Sequence, residues 1–258
     1  MTAAPVAVRP AKLGDAAGRN LHERIANTLG ERIVGGTPPP GRTLPTEIEL
    51  CASLSVSRSA LREAFKLLAA KRLIVSRQKV GTLVRPRTDW NMLDPEVLAW
   101  HLRVAPTDAF VTGLFEVRKI IEPSAAALAA ERRSPEALAR IEAALADMYR
   151  FQGGGGDLTE ADLRFHQAIL DATGNHFLAS FGAVIESSLV ASFQLSWHSG
   201  HHTPEYSMRQ HQGVTEAIRD MRPSDAYAVM TQLLRSAIED VRESLIRRQR
   251  ADIHEGAA

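Results

Sequence analysis

From Leu21 onward, apolar residues return at helical spacing. Leu21, Ile25, Leu29, Ile33 and Val34 line one side of LHERIANTLGERIVGG, which stops at paired glycines. That pattern predicts an amphipathic helix with a glycine stop. PPPGRTLP then imposes an extended turn, because proline fixes φ and withholds an N–H. A second helix is predicted over TEIELCASL, opened by Thr46 as N-cap behind Pro45, with Glu49 three residues on to complete a capping box. After a short break at Ser55 and Val56, SRSALREAFKLLAAKRL carries Ala60, Leu61, Ala64, Leu67 and Leu68 as its buried stripe, with Ser57 as N-cap. IVSRQKVGTLV then reads as strand, with Gly81 at a hairpin tip or bulge. Three helices followed by a β-hairpin make a winged helix-turn-helix.

Beyond VRPRTDWNMLDP the pattern is helical only. Helices are predicted at 94–103, 107–132, 134–151, 159–173, 175–197, 205–221 and 223–248. Their separators are Pro106, Pro135, the GGGG at 153–156, Gly174 with Asn175, a His-rich loop, and Pro223. No strand-length alternation interrupts them, so the rear is an all-α bundle. The chain therefore divides into a tail (1–18), a winged helix-turn-helix domain (19–87), a linker with a first helix (88–106), a bundle (107–248) and a second tail (249–258). The fold class is mainly α.

Composition is that of an ordinary globular protein, 45% hydrophobic and 24% charged. The first twenty residues lack a basic start with an apolar core, and no run of eighteen apolar residues occurs. The expectation is therefore no signal peptide, no membrane span and a cytoplasmic location. Cys51 is the sole cysteine, so no intrachain disulfide can form.

Charge changes the picture more. The net value is +1, but residues 1–87 hold 15 Lys and Arg against 6 Asp and Glu, whereas 88–258 hold 16 against 24. A basic front and an acidic rear point to a polyanion partner for the front. In a helix-turn-helix the start of the second helix of the motif reaches base edges in the major groove. Here that start supplies Ser57, Arg58, Ser59 and Arg62, with Lys66 farther along and Arg77, Gln78, Lys79, Gly81 and Thr82 in the wing. Singly, these are ordinary solvated charges. The motif order and the local excess of positive charge favour double-stranded DNA.

The segment DLRFHQAIL poses a different question. On a wheel at about 100° per residue, Leu163, Phe165, His166, Ala168, Ile169, Leu170 and Ala172 fall in an arc from roughly 240° through 0° to 100° around Asp162. Asp162 and His166 thus sit amid the apolar face, where each needs a partner. His211 in RQHQGVTEAI faces inward by the same reasoning. Either the three converge on one cation, a donor set suited to zinc and related metals, or Asp162 and His166 form a buried salt pair and His211 is a satisfied core histidine. Arg118 lies near Leu114, Phe115 and Ile121 on its wheel; its fork suits a carboxylate ligand, or it pairs with Glu122 at i,i+4. Asn175 faces a pocket or caps a helix. Trp197 stacks on a ligand or plugs the bundle.

PPGRTLPTEIELCASLSVSRSALREAFKLLAAKRLI, within residues 21–84, resembles the DNA-binding domain of the GntR family of bacterial transcription regulators. EVRKIIEPSAAALAAER and DLRFHQAILDATGN resemble the effector domain of its FadR subfamily, an antiparallel helical bundle, and WNMLDPEVLAW resembles the galactonate-operon repressor branch. The resemblance implies that Arg58 and Arg62, with Ser57, Ser59 and the wing around Gly81, contact an operator. It also implies that Asp162, His166 and His211 hold a divalent metal. Relatives often add a His on the last helix; here that place falls near Ser236, with Gln232 one turn earlier. Two further departures are Ile48, where many relatives carry Arg, and Lys79, where the wing often has its first Gly. The expected protein is a homodimeric repressor reading an inverted repeat, with a sugar acid such as galactonate as effector bound by Arg118, Asn175 and Trp197. The competing enzyme reading, a metal-dependent hydrolase with a nucleic-acid-binding appendage, finds no second carboxylate and histidine constellation to supply a base. An architectural DNA protein leaves the inward polar residues unexplained.

Overall fold

The computed structural model describes residues 21–104, 107–152, 156–196 and 203–255. The described residues form two compact units, one running to Trp100 and the other starting at His101.

In the first unit, α1 (Leu21–Val34), α2 (Glu47–Leu54) and α3 (Arg58–Ala70) precede a hairpin of β1 (Ile74–Arg77) and β2 (Gly81–Val84). The strands are antiparallel, with Ile74 opposite Val84 and Arg77 opposite Gly81. Local chemistry sets each boundary. Thr46 and Glu49 close a reciprocal capping box on α2, and the Ser57 hydroxyl accepts the Ala60 N–H at the start of α3. Between those helices Ser55 takes a left-handed φ of 53° and returns its N–H to the Ala52 carbonyl, which makes the turn sharp. At the wing, Lys79 also adopts a positive φ of 63°, a conformation in which glycine would be unstrained. A bridge from Thr43 to Leu83 ties the preceding turn to the wing.

The core of this unit joins Ile25, Leu29 and Ile33 to Leu61, Leu68, Leu73 and Val84, and it also takes in Trp90, Val97 and Trp100. Those last three belong to the stretch expected to be linker and first helix; Val97 and Trp100 lie on α4 (Pro95–Arg103). The Trp100 ring lies so close to Gly30 that a Cβ there would fall 2.6 Å from it. Its indole N–H donates to Asn27 Oδ1 at 2.8 Å. Lys71, at the end of α3, sits 5.9 Å from the ring centroid and binds Asp94 at 2.9 Å and Glu96 at 2.6 Å.

The second unit contains α5 (Asp108–Arg132), α6 (Pro135–Gln152), α7 (Leu158–Ala172), α8 (His176–Ala179), α9 (Gly182–Ser196), α10 (Pro204–Arg219) and α11 (Pro223–Glu255). Alanines 126, 129 and 130 of α5 are fully buried, leaving space for larger neighbours such as Phe165, Ile169, Val214, Ile218 and Leu234, while Ala125 packs with Leu170, Ile185 and Leu189. Arg133 donates to the carbonyls of Ile218 and Arg219, satisfying acceptors that the end of α10 leaves open.

Two helix expectations need correction. The single helix predicted at 175–197 is broken at Ser180 and Phe181 into α8 and α9. The Gln167 amide donates to the Ala179 carbonyl, and a Cβ at Gly182 would collide with Gln167 Oε1. A side chain from α7 thus fills the break, a tertiary contact that periodicity does not reveal. The last helix continues past 248 to Glu255, since no proline or glycine follows Pro223 until Gly256. Among the described residues no helix is long and apolar enough to cross a membrane.

Candidate functional site

Two places carry the candidate chemistry. On the first unit Ser57, Arg58, Ser59 and Arg62 of the α3 start, and Arg77, Lys79 and Gly81 of the wing, are all exposed. Thr82 is half-buried and its hydroxyl lies 3.3 Å from that of Ser76. Ser57 is partly committed, since its hydroxyl caps α3 and lies 3.1 Å from Ser59 Oγ. Arg62 donates its Nε–H to Glu47 at 3.2 Å while its side chain remains 64% exposed. Ile48 and Val80 are exposed apolar residues on α2 and at the wing tip.

In the second unit, α5, α7, α9 and α10 bring Arg118, Glu122, Asp162, His166, Ser188 and His211 together in the interior. Asp162 Oδ1 lies 3.2 Å from His166 Nε2 and 3.1 Å from His211 Nε2. Phe165 packs edge-on against both imidazoles. Arg118 pairs with Glu122 through Nε and Nη2, donates from Nη1 to Ser188 Oγ at 2.8 Å, and places Nη2 3.3 Å from His166 Nε2. His166 Nδ1 is 2.5 Å from Glu122 Oε2, an ion-pair approach.

Burial by itself would push both carboxyls up and the imidazole down, because it penalises charge. Partners win in each case. Burial notwithstanding, Arg118 and His166 hold Glu122 down at about 2. The two histidines hold Asp162 well below the usual carboxylate range against the same desolvation. His166 is raised to about 9, its desolvation and the repulsion of Arg118 outweighed by Glu122 and Asp162.

Both readings of this cluster therefore find material here. Asp162 does pair with the two histidines, and the three offer ligand atoms within 4.8 Å of one another. His211 Nδ1 faces the Ser207 carbonyl at 2.8 Å, so Nδ1 carries a proton, since a carbonyl only accepts. In the neutral ring Nε2 then presents its lone pair toward Asp162. His166 likewise turns Nδ1 to a carboxylate and Nε2 to Asp162. Acceptors behind each Nδ1 are the arrangement that orients metal-binding histidines, so the donor set fits a divalent cation.

Among the described residues no hydrogen bond joins Asn175 to this cluster. Asn175 caps α8, its Oδ1 accepting the Phe177 N–H at 3.0 Å. Trp197 lies outside the described residues. Ser236 is buried and donates back to the Gln232 carbonyl, while Gln232 lines a surface groove with Tyr206 and Arg209. Glu122, expected only as a partner for Arg118, also approaches His166. Ser188 joins the cluster without having been expected there; its one signal in the chain is a pair of serines inside the apolar run of α9.

A winged helix-turn-helix with an exposed basic face, in one chain with a helical bundle enclosing a polar centre, defines a DNA-binding regulator with a sensory domain. The chain belongs to the gntR family of bacterial regulatory proteins: residues 21–84 match that family, and residues 113–236 match the FCD domain. It is a transcription regulator and not an enzyme. It is 35% identical over 224 residues to the galactonate operon transcriptional repressor of Escherichia coli K12, covering 87% of this chain and 98% of that one. It is 32% identical over 231 residues to the HTH-type transcriptional regulator YieP of the same organism, covering 86% and 95%. Among solved structures, the fold resembles that of Lar, which controls the Listeria monocytogenes agr system, at a TM-score of 0.59 and 19% identity, covering 87% of this chain and 98% of that one.

Proposed function

We propose that this regulator is a cytoplasmic homodimeric repressor that reads an inverted repeat through Arg58 and Arg62 and is released by a sugar acid, galactonate or a close aldonate. The observation that carries the sensing half of this reading is the convergence of Asp162, His166 and His211 beside Arg118 in the bundle interior. Those three residues would hold a divalent cation, with zinc favoured by two imidazoles and a carboxylate. A bound cation would supply Lewis-acid attraction for the carboxylate and hydroxyl oxygens of the effector.

The protein's own part is orientation. A guanidinium has five N–H donors. Four contacts of Arg118 engage Glu122 twice, Ser188 and His166. One donor on Nη1 stays uncommitted among the described residues, and the approach to His166 is no tie while that ring is protonated, since both groups are then cationic. Arg118 is therefore braced on one edge and available on the other for a carboxylate. The choice of an aldonate rests on the similarity to the galactonate operon repressor, and it suits a site that combines a cation position with an arginine. Trp197 and Asn175 remain proposed as further effector contacts, Asn175 with its capping bond retained.

Binding can switch the protein only if the effector favours one state over the other. The test is a gel shift on the intergenic DNA beside the gene, with and without a panel of aldonates. Release by an aldonate in wild type, lost in Arg118→Ala with operator binding retained, is the expected result. Release by lactate or an acyl ligand alone would overturn the effector assignment. Elemental analysis of wild type, Asp162→Ala and His211→Ala tests the cation: equal, negligible metal in all three would leave the salt-pair reading.

A further inference from the structure

We infer that Glu47 is a positioning residue for base reading: it holds Arg62 by its inner nitrogen and so aims the outer edge of the guanidinium at a base. This rests on the reading of Arg62 as a base-contacting residue. Glu47 is the first residue of α2, and that first turn is fixed from both sides. The Thr46 N–H donates to Glu49 Oε2 at 2.8 Å and the Glu49 N–H returns to Thr46 Oγ1 at 3.3 Å. The carboxylate therefore projects from a rigid platform. Arg62 stands on α3 one turn beyond Arg58, and only its Nε–H meets Glu47, at 3.2 Å. The Nη1 and Nη2 edge has no partner among the described residues. With Nε engaged, that end-on edge is the one left to meet guanine O6 and N7 together.

The pair does little in free protein, because both side chains are substantially exposed and water screens them. Docking on DNA excludes that water, and the same pair strengthens when the local dielectric falls. A carboxylate on a DNA-facing surface also repels phosphate. Glu47 thus weakens general affinity for DNA and sharpens discrimination, two effects of opposite sign that merely structural damage would not produce together.

The experiment uses the full-length protein and two duplexes: one selected by the wild type from a randomised library, and a scrambled duplex of equal length. Glu47→Ala should bind the scrambled duplex a few-fold more tightly and the selected duplex more weakly, lowering the ratio of affinities about tenfold. Arg62→Ala should lower the ratio by itself, and adding Glu47→Ala to it should change the ratio no further, since coupled residues are not additive. An equal further loss in the Arg62→Ala background would overturn the positioning role, because Glu47 would then act without Arg62. An unchanged ratio in Glu47→Ala would overturn it too. If Arg62→Ala alone keeps the wild-type ratio, the base-reading role of Arg62 is what fails. Circular dichroism melts of each variant separate these results from misfolding.

Discussion

Arg62 and Arg118 each meet a glutamate, and there the likeness ends. Arg62 touches Glu47 at one nitrogen in the open, whereas the Arg118 side chain is 1% exposed and its fork is shared among Glu122, Ser188 and His166. The first pair is a surface ion pair, worth little in water, and it leaves the outer edge of the guanidinium open. The second lies where an unpartnered charge is very costly, so every member depends on the rest. The same two residue types thus stand open to solvent in one unit and locked into a buried network in the other, and exposure decides how much each pair contributes.

The largest expected effect comes from breaking the buried pair. Glu122→Ala leaves the Arg118 guanidinium without its counter-charge and should destabilise the second unit by about 3–5 kcal/mol, read from urea denaturation. Glu47→Ala should cost at most about 1 kcal/mol in the same measurement. Equal losses would abolish the contrast. A smaller effect follows from pH. His166 is raised from its ordinary 6.5 to about 9, so what its protonated form contributes is fully present below 6.5 and is lost as pH rises through 9. Chelator-treated protein should therefore melt at progressively lower temperature across that interval, and His166→Gln should flatten the decline. On the acid side Glu122, lowered from 4.5 to about 2, contributes above 4.5 and loses its effect as pH falls toward 2.

At the open end, Arg62→Ala should weaken the selected duplex by about 1–3 kcal/mol while leaving the denaturation midpoint unchanged. The smallest effect is expected at the wing tip. Lys79→Ala should weaken binding to all sequences alike and reduce the salt dependence of log K by about one; a sequence-dependent loss would instead make Lys79 a base reader.

Local signals in the chain were readable where one element settles its own fate. Thr46, Glu49 and Ser57 marked helix starts by side-chain chemistry, and the break at Ser55 followed from the interrupted stripe. The wheel around Asp162 showed which side of α7 turns inward, because burial repeats with the helical period. What could not be read depends on partners distant in sequence. Gln167 fills the gap between α8 and α9 from another helix, Glu122 reaches His166 across 44 positions of sequence, and Ser188 meets Arg118 across 70. Periodicity says that a side chain faces inward and is silent on what it meets there. The extent of the first unit was hidden for the same reason: Trp100 looks like part of a later helix until its ring is seen on Gly30.

That indole has a practical consequence for taking the protein apart. A fragment ending at the wing, near residue 87, would lose Trp90, Val97 and Trp100 and leave Gly30, Asn27 and Lys71 facing a hollow the size of an indole. Removing a buried tryptophan side chain alone costs roughly 3–5 kcal/mol, a large part of what a small domain has in reserve. A chimera that exchanges sensory domains between regulators of this kind should therefore carry the donor's own sequence through Trp100, so that the reader arrives with its keystone in place.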